Sequence, residues 1–450
     1  MGKITPNAIP PMAFDLLVVA ILLFAPLAWG SNEPWAMAVI AGASLVGLAG
    51  RLLWDCWHQG ISLHNRHVLI PMAAFLGFVG LQYFSQRSAL GAPTAGIPHT
   101  VDPNSTLTYF LLTLGYFALV VLVSHSFRSR AQVKRLVLVV MALGVFQAVY
   151  GLVQYLGGVN YIWSYPVTSE MARGTFINRN HYALFLNLTL CSGIGYLFYR
   201  SLRLLFGEDL TVRRVIAAPR SAKLAWILLW LAIIGLALIM SMSRMGIVAM
   251  FGAIGMIATA GKSSEKGKRI AVLGFLLLFA IVGLALYAGI DAVLERYEKI
   301  PEAVYLERDR IPLWRDAWQL IQQSPIVGQG LGTFQWTFQA FEKQEPDIPA
   351  IYTHSDYLQA LAEVGWAGVL LIAWAFVACW RSAAHNYVRA EDPMVRGIGL
   401  ATMGMLTATA LQEITDFSLY IPGVAVLFAV CPIKGMPVRP PHQPFAFGRR

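Results

Sequence analysis

The chain has 450 residues, of which 57% are hydrophobic and 13% charged, with a formal net charge of +10 and a mean hydropathy of +0.59. Soluble domains carry about 25% charged residues, so a water-facing fold of this size is excluded for want of polar surface. The basic residues fall in short clusters between apolar blocks, the pattern of membrane-protein loops rather than of a nucleic-acid-binding surface.

The apolar blocks run to about 20 residues, the length at which a helix crosses about 30 Å of hydrocarbon. Twelve spans are predicted, near 12–29, 35–54, 67–84, 105–125, 136–156, 180–200, 223–242, 245–261, 270–290, 364–381, 397–413 and 417–433. Each must be helical, because the bilayer offers no water to its backbone. The fold class is therefore an all-α polytopic membrane protein. Its organisation reads as membrane helices one to nine over 1–290, a large loop over 291–363, helices ten to twelve over 364–433, and a tail over 434–450. The N-terminal apolar run lacks a small-residue cleavage site and reads as a retained span. No internal repeat is evident. Cys56, Cys191, Cys379 and Cys431 lie in or beside apolar blocks without CxxC spacing, which indicates neither a disulfide framework nor a zinc site.

Lys and Arg in the short loops set the orientation. Arg128, Arg130, Lys134 and Arg135 form one cluster, and Arg200, Arg203, Arg213, Arg214, Arg220 and Lys223 another. Lys262, Lys266, Lys268 and Arg269 follow, then Arg381, Arg389 and Arg396, and finally Arg439, Arg449 and Arg450. All fall on the cytoplasmic side if both termini are cytoplasmic. Segments 85–104, 157–179 and 291–363 then face the periplasm. The last is the longest, and the recurrence of Trp314, Ala317, Trp318 and Ile321 at spacings of three and four predicts an amphipathic helix within it.

Candidate chemistry gathers on that outer side. His354 precedes an amphipathic stretch at the mouth of span ten, where an imidazole can accept a proton near neutral pH. Alternatively, His354 or Ser355 caps the helix. Arg244 lies in MSMSRMG with almost no loop around it and no acid near it in sequence. It either snorkels to the headgroups or holds an anion. Arg173 and Arg179 flank GTFIN, and Arg308 and Arg310 open RDRIPLWRDAW, where Glu307 and Asp309 offer them local ion pairs. Several arginines and one histidine on one face, with no metal-ligand cluster, make a workable phosphate site. Walker, GxGxxG, HExxH and DxD patterns do not accompany them.

His354-Ser355, nine residues, then Gly365-Trp366-Ala367-Gly368 matches H-[NSQ]-x9-G-xx-[GTY], and the chain resembles the O-antigen ligase and O-antigen polymerase family. RDRIPLWRDAW, SPIVGQGLGTF (Ser324 to Phe334), GTFINRNHYA (Gly174 to Ala183) and SMSRMG (Ser241 to Gly246) also look like its motifs. The likeness covers roughly 170–380. The resemblance implies a lipid-carrier-dependent glycosyltransferase of the inner membrane that draws a glycan from undecaprenyl pyrophosphate and passes it to lipid A-core or to a growing glycan. By resemblance His354 assists the acceptor hydroxyl as base or positioner, and Arg244, Arg310 and Arg179 hold the pyrophosphate. Gly365 and Gly368 permit close helix packing. No metal or other cofactor is implied. Ser355 stands where Asn is frequent in the family, which removes an amide that could orient the ring. Polymerases and protein O-oligosaccharyltransferases share the motif. A lipid-linked glycan flippase is the competing class, though it does not require the long loop.

Overall fold

The structure, a computed structural model, describes residues 9–58, 65–85, 97–159, 161–167, 171–204, 221–261, 281, 283–284, 310–342 and 350–430. Most of the predicted ninth span, the basic clusters within 205–220 and 262–269, Arg308 with Glu307 and Asp309, Cys431 and the tail 434–450 lie outside the described residues. The helices are α1 (Ile9–Leu27), α2 (Pro34–His58), α3 (Arg66–Phe84), α4 (Pro103–Ser126), α5 (Arg130–Gly157), α6 (Arg179–Leu204), α7 (Ser221–Met240) and α8 (Arg244–Gly261). They continue with α9 (Arg310–Gln323), the short α10 (Phe334–Thr337), α11 (Asp356–Arg389), α12 (Pro393–Gln412) and α13 (Pro422–Val430). The described sheet is a single hairpin pairing Tyr161–Ile162 with Tyr165–Pro166.

Eight of these helices are long and apolar enough to cross a membrane, and the fold is an all-α polytopic membrane fold. Met12–Leu27 and Arg244–Ala260 are apolar but shorter. The predicted twelfth span begins at Pro422 rather than 417, because Ser418–Tyr420 winds as a separate 3₁₀ turn.

Local sequence sets the helix starts. Asp102 caps α4 by accepting from the Asn104 and Ser105 amides, with Pro103 in the first turn. Ser129 and Gln132 form a reciprocal capping box on α5. Asp392 caps α12 through the Met394 amide and also binds Arg130 at 2.7 Å. The starts of α5 and α12 therefore share one end of the bundle, as the placement of their basic loops on one side requires.

The bundle is built around α6, in which every residue from His181 to Tyr199 is buried. A helix that touches protein on all sides does not need lipid-grade apolarity, which is why Asn187, Thr189 and Ser192 are tolerated there. Its tightest crossing is with α12. A Cβ on Gly195 would lie 2.4 Å from the Gly397 carbonyl oxygen, and one on Gly397 would lie 2.5 Å from that of Gly195.

At the opposite end, α9 lies against the first turns of α11. Ala317, Leu320 and Ile321 pack with Phe334, Phe338, Leu361 and Ala362. The predicted amphipathic helix is present, but its buried face differs from the prediction in one member. Trp318 is 45% exposed, and Asp316 and Leu320 are buried instead.

The predicted boundary between loop and span at 363–364 falls inside α11, one residue before a break. Gly365 has φ 59° and ψ −172° within an otherwise helical run of 34 residues. The break strands backbone groups that the segment 324–333 takes up. Gln329 and Gly330 amides donate to the Ala362 and Glu363 carbonyls at 3.0 and 2.9 Å. Trp366 and Ala367 amides donate to the Pro325 and Ile326 carbonyls, each at 2.9 Å. From α3, Gln82 Nε2 adds bonds to the Val327 and Glu363 carbonyls at 2.8 and 3.0 Å. Gly365 thus serves close packing against a loop backbone, whereas Gly368 meets Phe78 of α3.

A Cβ at 365 would lie 2.5 Å from the Ile326 carbonyl and would have to adopt a left-handed φ. G365A should therefore lose at least about 1–2 kcal/mol of stability. Thermal unfolding of the detergent-solubilised protein, read by size-exclusion, should show a clear drop in midpoint. A midpoint equal to the parent's would show that the break carries no such constraint.

Candidate active site

His354 sits in the turn that feeds α11. It occupies the left-handed region, with φ 54°, uncommon for a residue with a side chain. Hydrogen bonds from both sides hold that turn, among them one from the Ser355 amide to the Thr353 hydroxyl at 3.1 Å. Trp314 Nε1 of α9 donates to the Thr353 carbonyl at 2.9 Å. The Thr353 amide donates to Gln359 Oε1 at 2.8 Å, and the Thr353 hydroxyl donates to the Ser355 carbonyl at 2.7 Å. Ser355, not His354, takes the N-cap position of α11, without a capping bond from its hydroxyl.

Gln359 passes the linkage on to Glu363. That carboxylate accepts from Gln359 Nε2 at 2.8 Å, the Gly332 amide at 2.8 Å, the Phe334 amide at 3.3 Å and the Tyr420 hydroxyl at 2.6 Å. Two donors reach each of its oxygens. Glu363 is thereby the hub joining α11, the loop 324–334 and the turn before α13.

The base of the site is the junction between α11 and α12. The Asp356 amide donates to the Asp416 and Glu413 carbonyls at 2.8 and 3.2 Å, so the donor end of one helix meets the acceptor end of another. Glu413 also accepts from the Ser418 amide at 2.7 Å, and Asp356 from the Leu419 amide at 3.2 Å. Asp416 accepts from the Phe417 amide at 2.9 Å, and burial raises its carboxyl to about 6 against the opposing pull of Phe417 N–H and the Arg310 charge.

Of the four predicted site residues, Arg310 and His354 are brought together. Arg310 opens α9 and donates from Nη1 to the Thr415 carbonyl, and its charge acts on both His354 and Asp416. Burial first, and the Arg310 charge second, lower the His354 imidazole to about 4. At neutral pH His354 is uncharged and can accept a proton. Its Nδ1 is buried with no hydrogen-bond partner among the described residues.

Arg244 and Arg179 lie at the same end on neighbouring helices. Arg244 opens α8, whose start is tied to α6 by Asn187 Nδ2 donating to the Gly246 carbonyl at 2.9 Å. Arg179 opens α6 and directs Nη1 at the Met171 sulfur, a weak acceptor. The loop carrying Met171 joins the end of α7 through the Ala172 amide and the Met240 carbonyl at 3.2 Å. Gln412 links the two regions by donating to the Asn180 carbonyl at 2.7 Å.

Residues 227–373 match the family model described as O-antigen ligase. The chain carries an O-antigen ligase domain. The domain runs from within α7 through α8, α9 and α10 into α11 past its break, and contains Arg244, Arg310 and His354. Arg179, Glu413 and Asp416 lie outside it. No curated protein matches the chain. Sequence reasoning passed over Glu363, Glu413, Asp416 and His181. His181 carried a usable signal, because it stands at the mouth of a span just as His354 does.

A rate that needs uncharged His354 should hold down to about pH 5 and fall as pH drops through about 4, not through the usual 6.5. D416N removes the overlapping titration near 6 and exposes this limb. R310Q takes away the smaller cause of the shift, so its limb should move upward without reaching 6.5. A midpoint at 6.5 in D416N would show that burial does not tune the ring.

Proposed function

We propose that this protein is an inverting glycosyltransferase that moves a glycan from undecaprenyl pyrophosphate to a sugar hydroxyl of lipid A-core. The reaction is placed at the periplasmic face of the bacterial inner membrane, with both termini cytoplasmic. The observation that carries the reading is an uncharged, partly buried imidazole beside a guanidinium, both within the O-antigen ligase domain.

The acceptor oxygen attacks the anomeric carbon on the face opposite the leaving group. Its proton passes to His354 as the carbon–oxygen bond to pyrophosphate breaks, and the lipid pyrophosphate departs. Charge that develops on the leaving group is met by Arg244 and Arg310, with Arg179 as a third partner. Guanidinium groups offer paired donors and keep their charge, so the donor needs neither a divalent ion nor ATP to be activated.

The test uses purified protein in detergent with an undecaprenyl-pyrophosphate glycan, EDTA and lipid A-core. Transfer should proceed, and H354A should lower it by about 10²–10⁴-fold while the protein still inserts. R310Q and R244Q should each lower the rate by about 10²–10³-fold, with R310K recovering only part because a point charge replaces a fork. Elongation of the donor glycan without core would assign a polymerase instead, and transfer to a Ser- or Thr-bearing peptide a protein glycosylating enzyme. Full transfer by H354A would remove the proposed chemistry altogether.

A further inference from the structure

His354 lacks the usual means of orienting a reacting imidazole. Its Nδ1 has no hydrogen-bond partner among the described residues, and the neighbouring side chain is Ser355, whose hydroxyl makes no cap bond. What the ring does touch is Phe417. The two rings meet nearly perpendicularly, at 72° and with centroids 5.0 Å apart.

Phe417 is itself wedged. Tyr352 stacks on it at 4.2 Å and 14°. A second imidazole, His181 in the first turn of α6, meets it at 4.8 Å and 81°. His181 is 5% exposed, and its Nε2 has no hydrogen-bond partner among the described residues. Asp416 Oδ1 lies 3.6 Å from it, too long for a hydrogen bond but within reach of a small movement. Asp416 precedes Phe417 and binds its amide, so whatever His181 does to Asp416 is carried to the Phe417 ring. An unmatched buried nitrogen is costly, and here it stands behind the Phe417 ring on which His354 rests.

We propose that His181 is a positioning residue for His354, acting through Asp416 and Phe417 in place of the amide that Ser355 does not supply. The inference rests on the reading of His354 as the reacting imidazole. His181 touches no reacting atom in this scheme. It fixes the wedge, and the wedge fixes the ring.

Diethyl pyrocarbonate, which acylates uncharged imidazole, reads the freedom of His354 without any substrate. On the full-length protein in detergent at neutral pH, peptide mass spectrometry follows labelling of His354, with exposed His58 on α2 as the internal control. H181A should speed His354 labelling by about three-fold or more and leave His58 unchanged. H181Q, whose amide reaches Asp416 from near the Nε2 position, should return the rate to within about two-fold of the parent. In the transfer assay H181A should lower kcat by about ten-fold, with KM for the donor little altered. If H181A does not assemble, F417L makes the same comparison from the other side of the contact. Unchanged His354 labelling in H181A, or in F417L when that variant stands in, overturns the proposal. Full transfer by H354A overturns the function instead, and the labelling result still stands by itself.

Discussion

A helix that breaks within a membrane protein must find partners for the backbone groups it releases, and α11 breaks at Gly365. Its partners come from the segment 324–333, laid across the break with bonds on both sides of it, and from Gln82 of α3. The large loop is therefore not a flap resting on the bundle. Between Ser324 and Phe334 it is part of the wall, and α9 is held against the same helix by the cluster around Leu320 and Phe338. Because α9 carries both Arg310 and Trp314, fixing the break also fixes the guanidinium beside His354 and the indole that grips Thr353.

Polar groups are concentrated where two helix ends meet. The start of α11 and the end of α12 exchange backbone bonds, and Glu413 and Asp416, each 2% exposed, are buried there. There the amides of Phe417, Ser418 and Leu419 donate to the carboxylates of Asp416, Glu413 and Asp356 respectively. The same turn presents Phe417 to His354. Packing of acids below and packing of an aromatic ring above are thus one arrangement.

Much of this was legible in the sequence. Block length and low charge place the helices, and the three-and-four spacing places α9, because both depend on local pattern alone. The H-[NSQ]-x9-G signature picks out His354 and, through its surroundings, Arg310. The break at Gly365 was not legible, since one glycine in an apolar run reads equally as a packing surface. Trp318 misled for a related reason: periodicity finds a face but does not say which of its members the partner covers. Glu363, Asp416 and His181 escaped because their roles come from contacts across distant chain segments, such as Tyr420 on Glu363 or Phe417 between two imidazoles.

Between Ser355 and Gly365 the motif asks for nine residues of no stated kind. In the structure that interval is a stub of helix with the His354 turn at one end and the break at the other. At about 1.5 Å and 100° per residue, one inserted residue would swing Glu363 about 100° from the Gly332 and Phe334 amides. The interval is a gauge. The number of its residues is held by the distance the gauge has to measure, and at Gln359 and Glu363 their identity is held by the bonds those side chains make.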